Sequence, residues 1–247
     1  MALSIPLSLL VLWEVFSQTS ILSPRYFPPP TLVAATLTRL LAGGDLWGET
    51  LVTLNRLAIA FVLAAAPGVP AGLAMGLFRP VRYAIEPYLA LLYPLPKIAL
   101  LPLLLIVLGV GEKAFILTGA ISAFFQIVIS TLGGVQTMDP RLLEVGRNYG
   151  ARGIALFRKV ILPATLPAIL TGLRLGLGLA LIAVIAVEFV TAKSGLGHLV
   201  FRYWQMLLTA EMFAAFVLVG LIGLAFTRGL RALQRRTLAW KEEIGWQ

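Results

Sequence analysis

Residues 166–190, "LPAILTGLRLGLGLALIAVIAVEFV", carry only two charged side chains, Arg174 and Glu188. A helix of about 20 apolar residues is what crosses the roughly 30 Å hydrocarbon core of a bilayer. Comparable runs cover about 51–77, 88–108, 114–135 and 213–226, and a first run goes from Ala2 to about Leu22, interrupted by Glu14. A β-barrel would instead alternate apolar and polar residues over segments of about ten. Composition agrees: 59% of the 247 residues are hydrophobic and 13% are charged, against about 25% charged in soluble domains. The chain is therefore expected to be an all-α integral membrane protein of about six transmembrane helices. The first run has no Lys or Arg before Arg25 and no clear small-x-small cleavage site, so it is expected to be a retained span rather than a signal peptide.

Between the runs lie shorter signals. "SPRYFPPPTLV" is an extended linker, because its prolines exclude a helix interior. Thr31 to Leu41 has the pattern of a short amphipathic helix ended by Gly43-Gly44. "FRPVR" is expected as a basic loop and "GVGEK" as a tight turn. "AKSGLGHLVFRYWQMLLTAEM" is a looser amphipathic segment, and "TRGLRALQRRTLAWK" a basic tail. These boundaries divide the chain into 1–50, a core over 51–230 and a tail over 231–247.

Topology follows from the distribution of Lys and Arg, which gather in cytosolic loops. If the polar stretch 136–163 is cytosolic, twelve fall inside: Arg79, Arg82, Arg141, Arg147, Arg152, Arg158, Lys159, Arg228, Arg231, Arg235, Arg236 and Lys241. Six fall outside: Arg25, Arg39, Arg56, Lys113, Lys193 and Arg202. Both termini are then cytosolic. The net charge of +9 belongs to this asymmetry rather than to nucleic-acid binding.

The polar stretch is itself built like a folded module. Asp139 caps free N–H groups, and Pro140 suits the first turn of a helix. Gly150 is placed to end that helix in the left-handed conformation. A second short helix, about 154–160, carries Arg158 and Lys159, and Leu162-Pro163 is expected to turn the chain back to the bilayer. The result is a helix-turn-helix knob that another protein can hold.

The spacing in this knob resembles the signature of ABC-importer permeases: Glu-Ala-Ala, three residues, Gly, nine residues, then Ile-x-Leu-Pro. Glu144, Gly150, Leu162 and Pro163 stand at the required offsets. Val145 and Gly146 replace the alanines, and Val160 replaces the isoleucine. Gly146 is expected to loosen the helix by about 1 kcal/mol relative to Ala. "LWE", "PLPKIALLPLL", "MDPRLLEVGRNYGA", "ILPATLPAILTGLRLGLGLAL" and "AKSGLGHLV" extend the likeness over essentially the whole chain. They resemble the nitrate/sulfonate/taurine/bicarbonate branch. The resemblance implies a type I importer in a bacterial cytoplasmic membrane: two permease subunits, identical or different with a homodimer favoured, a cytosolic ATPase dimer and an external binding protein. The stretch with Asp139, Glu144, Gly146, Gly150, Ala151, Leu162 and Pro163 is then the coupling helix that docks on the ATPase. The implied substrate is a small anion such as a sulfonate, nitrate or bicarbonate. Related importers take pyrimidine or aromatic compounds.

The remaining residues exclude other chemistry. No G-x-x-x-x-G-K-[ST] phosphate loop is present, so ATP-Mg is expected on a partner and no cofactor on this chain. One histidine, His198, and no cysteine leave no typical transition-metal cluster, and His198 is expected as an ordinary outer-loop residue. Carboxylates are scattered singly, which argues against acid/base catalysis. A secondary transporter driven by an ion gradient is the alternative class. It would favour inverted repeats, and none is evident. A membrane scaffold without transport is a third.

Ionisable residues in spans are candidate functional groups. Lys97, between weakened turns in "PLPK", either lines the translocation path or pairs with a carbonyl or the interface. Arg174 either lines the path or snorkels to the cytosolic surface. Glu188 is expected to be a packing or gating contact rather than a substrate ligand. Gly172, Gly176 and Ala180 recur every four residues, a face that lets helices approach closely, within the subunit or at a dimer seam.

Overall fold

The computed structural model describes residues 4–238, and every regular element among them is helical. In chain order these are α1 (Ser4–Gln18), α2 (Pro30–Ala42), α3 (Asp45–Leu77), α4 (Arg79–Leu92), α5 (Leu101–Leu108), α6 (Glu112–Gln136), α7 (Pro140–Asn148), α8 (Gly153–Leu156), α9 (Leu162–Thr191), α10 (Leu196–Gln205) and α11 (Thr209–Thr237). Four stretches are long and apolar enough to cross a membrane: α3, α6, α9 with the helical turns before it, and α11. A fifth crossing is possible in two pieces, α4 and Lys97–Leu108, bent by 92° at the break between them. α1 is apolar, but its 15 residues rise only about 22 Å.

Several boundaries differ from those read in the sequence. α3 begins at Asp45 rather than near Leu51, so Arg56, counted among the outer charges, lies about three turns inside the helix rather than near its end. Its proline and glycine run stays helical, with Pro67 and Pro70 in the interior. "FRPVR" opens α4, where Pro80 occupies a first-turn position that needs no N–H donor. The third span is broken at Tyr93–Pro96, the stretch that holds Pro94 and Pro96. No turn occurs at Leu162-Pro163: Phe157–Ile161 forms a π-helical turn that runs straight into α9. The basic segment is helical to Thr237 as the end of α11, and Lys241 lies outside the described residues.

The chain folds as two compact units. One comprises the chain up to Arg56 with Val184–Gly223, and the other Leu57–Ala183 with the chain from Leu224. In the first unit, Glu14 of α1 caps α2. Its carboxylate accepts from the Thr31 backbone N–H at 3.0 Å and the Thr31 hydroxyl at 2.8 Å. An acid in an apolar helix is thus explained by the free N–H groups of the next helix. Ser17 Oγ donates to the Phe27 carbonyl at 2.7 Å and fastens the proline-rich linker. The core of this unit joins Leu46 to Leu196, Leu199, Val200 and Tyr203 of α10 and Ala215 of α11.

The second unit is organised around α6, which is lined on two sides by glycine. A Cβ on Gly68, Gly72 or Gly76 of α3 would meet Ile127, Thr131 or Val135 at 3.1, 2.6 and 2.5 Å. Glycine and partner both advance by four residues, so two ridges run side by side at backbone contact. From α9, Gly172 abuts Ser130 and Gly176 abuts Ile127, at 2.7 and 2.8 Å from where a Cβ would sit. Ala180 is fully buried on the same face. Gly172 and Gly176 thus pack against α6 inside the subunit. The matching stripe on α3 is visible in the sequence only as tolerated helix breakers.

Candidate functional site

The polar loop forms a compact knob. The Asp139 carboxylate accepts from the Arg141 N–H at 2.9 Å and starts α7. Gly150 adopts φ +82°. The N–H of Ala151 returns to the Gly146 carbonyl and that of Gly150 to the Arg147 carbonyl, both at 2.9 Å. These bonds satisfy carbonyls that the end of α7 would otherwise leave free. Gly146 is buried, and a Cβ there would sit 2.8 Å from Val160 Cγ2 and 3.0 Å from Leu156 Cδ1. The glycine that weakens α7 by propensity therefore lets it close onto the second arm. Tyr149 at 89% and Ile154 at 73% exposure, with Val145 and Leu142, put apolar side chains on the outside. Glu144, Arg147 and Arg152 are exposed among them. Leu162 and Pro163 begin α9, where the Leu162 N–H reaches back to the Phe157 carbonyl.

A second cluster lies in the other unit and is buried. Glu188, in the last turns of α9, is fully buried, and Arg56 of α3 is 2% exposed. Arg56 Nη1 donates to Glu188 Oε1 at 2.8 Å and to the Ser194 carbonyl at 2.7 Å, and Nη2 to Ser194 Oγ at 3.0 Å. The Thr53 hydroxyl lies 2.9 Å from Glu188 Oε2 and accepts from the Leu196 N–H at 2.8 Å. The Gly197 N–H donates to Glu188 Oε2 at 3.0 Å, and the Gly195 N–H to Glu49 Oε2. Glu49, Thr53 and Arg56 follow one another at i, i+4 and i+7 on one face of α3. The sequence alone marks Glu188 as a contact and counts Arg56 among the outer charges. The signal that could have paired them is two lone opposite charges in two apolar segments.

Lys97 occupies the break in the third span. Its Nζ donates to the Tyr93 carbonyl, which the broken helix leaves without its usual partner. It lies 4.9 Å from the Tyr93 ring centroid and 5.2 Å from that of Phe125, within cation–π reach of both. A cleft of about 370 Å³ opens beside it, lined by Tyr93, Pro94, Pro96, Ser122, Leu179 and Ile182 among others. A second cleft of about 480 Å³, with Leu63, Leu92, Leu117, Ile121 and Phe124, is almost wholly apolar. A third of about 610 Å³ is more polar, with Ser130, Thr137, Thr171 and Gln234. Arg174 is half-buried on α9 and does not line these three clefts. His198 is half-buried in the first turn of α10. Among the described residues no group of His, Asp and Glu is arranged to hold a metal ion.

Residues 68–238 match the family of binding-protein-dependent transport system inner membrane components. The taurine transport system permease protein TauC of Escherichia coli is 35% identical over 242 residues, 96% of this chain and 88% of that one. The bicarbonate transport system permease protein CmpB of Synechococcus elongatus is 30% identical over 240 residues, 93% and 86% of the two chains. Among solved structures, an inward-facing form of the MetNI methionine ABC transporter superposes with a TM-score of 0.61 at 22% identity, covering 75% of this chain and 96% of that one. That likeness is one of fold.

Proposed function

Since the chain belongs to the family of binding-protein-dependent transport system inner membrane components, we propose that it is the permease of an ATP-driven importer that moves a small anion, a sulfonate such as taurine first among them. The observation that carries this reading is the knob of α7 and α8. It offers exposed apolar and charged side chains on a closed, glycine-tightened scaffold, with Glu144, Gly150, Leu162 and Pro163 at the spacing of an ATPase-coupling loop. Asp139, Gly146 and Ala151 support it from within, by capping, close packing and a returning hydrogen bond. ATP-Mg binds the ATPase partner, an external binding protein delivers the substrate, and two copies of this chain form the pathway.

The knob is cytosolic, as are both termini. Withdrawing Arg56 from the outer charges widens the charge asymmetry that supports this orientation. Lys97 is the anion-attracting group of the path. Its ammonium is held by one carbonyl and two rings rather than by a carboxylate, so its charge is not cancelled. Arg174 has the weaker claim, because the clefts described do not include it.

Proteoliposomes containing this chain, its ATPase and its binding protein test the reading. Taurine uptake is expected to require ATP and to stop with vanadate, and Lys97→Gln is expected to slow it more than Lys97→Arg. Uptake driven by an ion gradient without the ATPase would overturn the importer reading. ATP-dependent uptake of bicarbonate, nitrate or a pyrimidine without taurine would overturn the sulfonate alone.

A further inference from the structure

The buried charges around Glu188 do more than join two helices. An apolar pair of similar volume packs helices as well as a buried ion pair does, and is often the more stable choice. What the polar groups add here is direction. Three successive backbone N–H groups at the head of α10 each find a different side-chain acceptor: Gly195 takes Glu49, Leu196 takes Thr53 and Gly197 takes Glu188. Arg56 holds the Ser194 carbonyl and hydroxyl from the other side.

Two glycines make this approach possible. A Cβ on Gly195, which has φ +105°, would lie 2.4 Å from the Glu188 carboxyl carbon. A Cβ on Gly197 would lie 2.3 Å from the Ile185 carbonyl oxygen. The turn before α10 is thus seated on the end of α9 with no room to slide. α9 is one helix from Leu162, the residue that directly follows the π turn of the polar knob. Helices transmit displacement along their axis because their hydrogen bonds close within the segment.

We infer that Glu188 and Arg56, seconded by Thr53, are positioning residues for transport: they clamp α10 to the end of α9, so that a displacement entering α9 at the knob moves α10 as well. The inference rests on the importer reading above. It assigns these buried charges a part in coupling and none in binding substrate.

The test uses the complete complex in liposomes, measuring taurine uptake, ATP hydrolysis with and without binding protein, and the melting temperature. The doubly apolar variant Arg56→Met/Glu188→Leu keeps volume and burial but loses the directed bonds. It is expected to assemble and hydrolyse ATP at the basal rate, while the number of molecules imported per ATP falls at least tenfold. Thr53→Val, similar in shape, leaves the ion pair in place but strands the Leu196 N–H; it is expected to lower the melting temperature by less than the loss of Glu188 would and to lower the same ratio about threefold. It decides the matter if the double variant fails to assemble. A wild-type import-to-ATP ratio in Thr53→Val, or in an assembled double variant, overturns the clamp and reduces the cluster to packing. Should the wild-type complex itself import nothing with ATP, the importer reading falls instead, and the two failures are told apart.

Discussion

The clamp at Glu188 and the knob at Asp139–Pro163 both concentrate charge and glycine, and they use them in opposite ways. In the clamp the charges are turned inward: Glu188 is fully buried and Arg56 is 2% exposed, and their hydrogen bonds end on each other and on side-chain and backbone atoms of the same chain. In the knob the charges are turned outward, and it is Gly146 that is buried. The glycines differ in the same sense. Gly195 and Gly197 are pressed against a carboxylate and a carbonyl, whereas Gly150 has nothing within 4 Å of where its Cβ would be. One region spends its polarity on its own geometry. The other keeps its polarity free for something outside the chain. Residue type alone does not separate these uses. Burial does.

Substitutions can break this contrast, in order of decreasing effect on stability. Glu188→Ala removes the buried carboxylate that pairs with Arg56 and accepts from the Gly197 N–H, and is expected to cost about 3–5 kcal/mol, read as a lower melting temperature of the purified complex. A wild-type melting temperature would mean the site is not dry. Gly195→Val forces a branched side chain into the Glu188 carboxylate at positive φ, an overpacking expected to cost about 1–3 kcal/mol. Gly150→Val meets no neighbour, so only the left-handed backbone is penalised, by about 1–2 kcal/mol. The complex is expected to reach the membrane and hydrolyse ATP while uptake falls, and normal uptake would remove the helix break from the coupling argument. Tyr149→Ala, at a side chain 89% exposed, is expected to leave the melting temperature alone and to weaken retention of the ATPase on purification. Unchanged retention would mean that the knob's partner grips elsewhere.

The knob was legible in the sequence because its signals are local. Asp139-Pro140 and Gly150 declare a helix start and stop within a dozen residues, and capping chemistry needs no distant partner. The apolar runs were legible for the same reason, since bilayer thickness fixes their length. The clamp was not, because its meaning depends on two segments 132 positions apart. Arg56, taken by itself near the start of a run, reads as an outer charge. Glu14 shows the same limit: it interrupts an apolar helix until the Thr31 N–H and hydroxyl are seen to donate to it at the start of α2. The α3 glycines 68, 72 and 76 were hidden by Pro67 and Pro70, which suggest breakage more loudly than packing. What escaped was not weak in energy; it was long in sequence separation.

The π turn at Phe157–Ile161 has a consequence of its own for the knob. Such a turn is an α-helix carrying one residue more than its winding needs. Each α-helical residue advances the winding by about 100°, so the extra one acts as a fixed phase offset between the helix before it and the helix after it. Downstream, Gly172 and Gly176 are pinned in azimuth by their seat on α6. Upstream, the knob takes whatever heading the offset sets. Removing one residue from this turn would leave α7 and α8 intact in sequence and swing them about a third of a revolution around the axis of α9. The compass bearing of the knob is therefore written in the count of residues between Leu156 and Leu162, while their identity, Val160 against Gly146 above all, sets how tightly α7 closes.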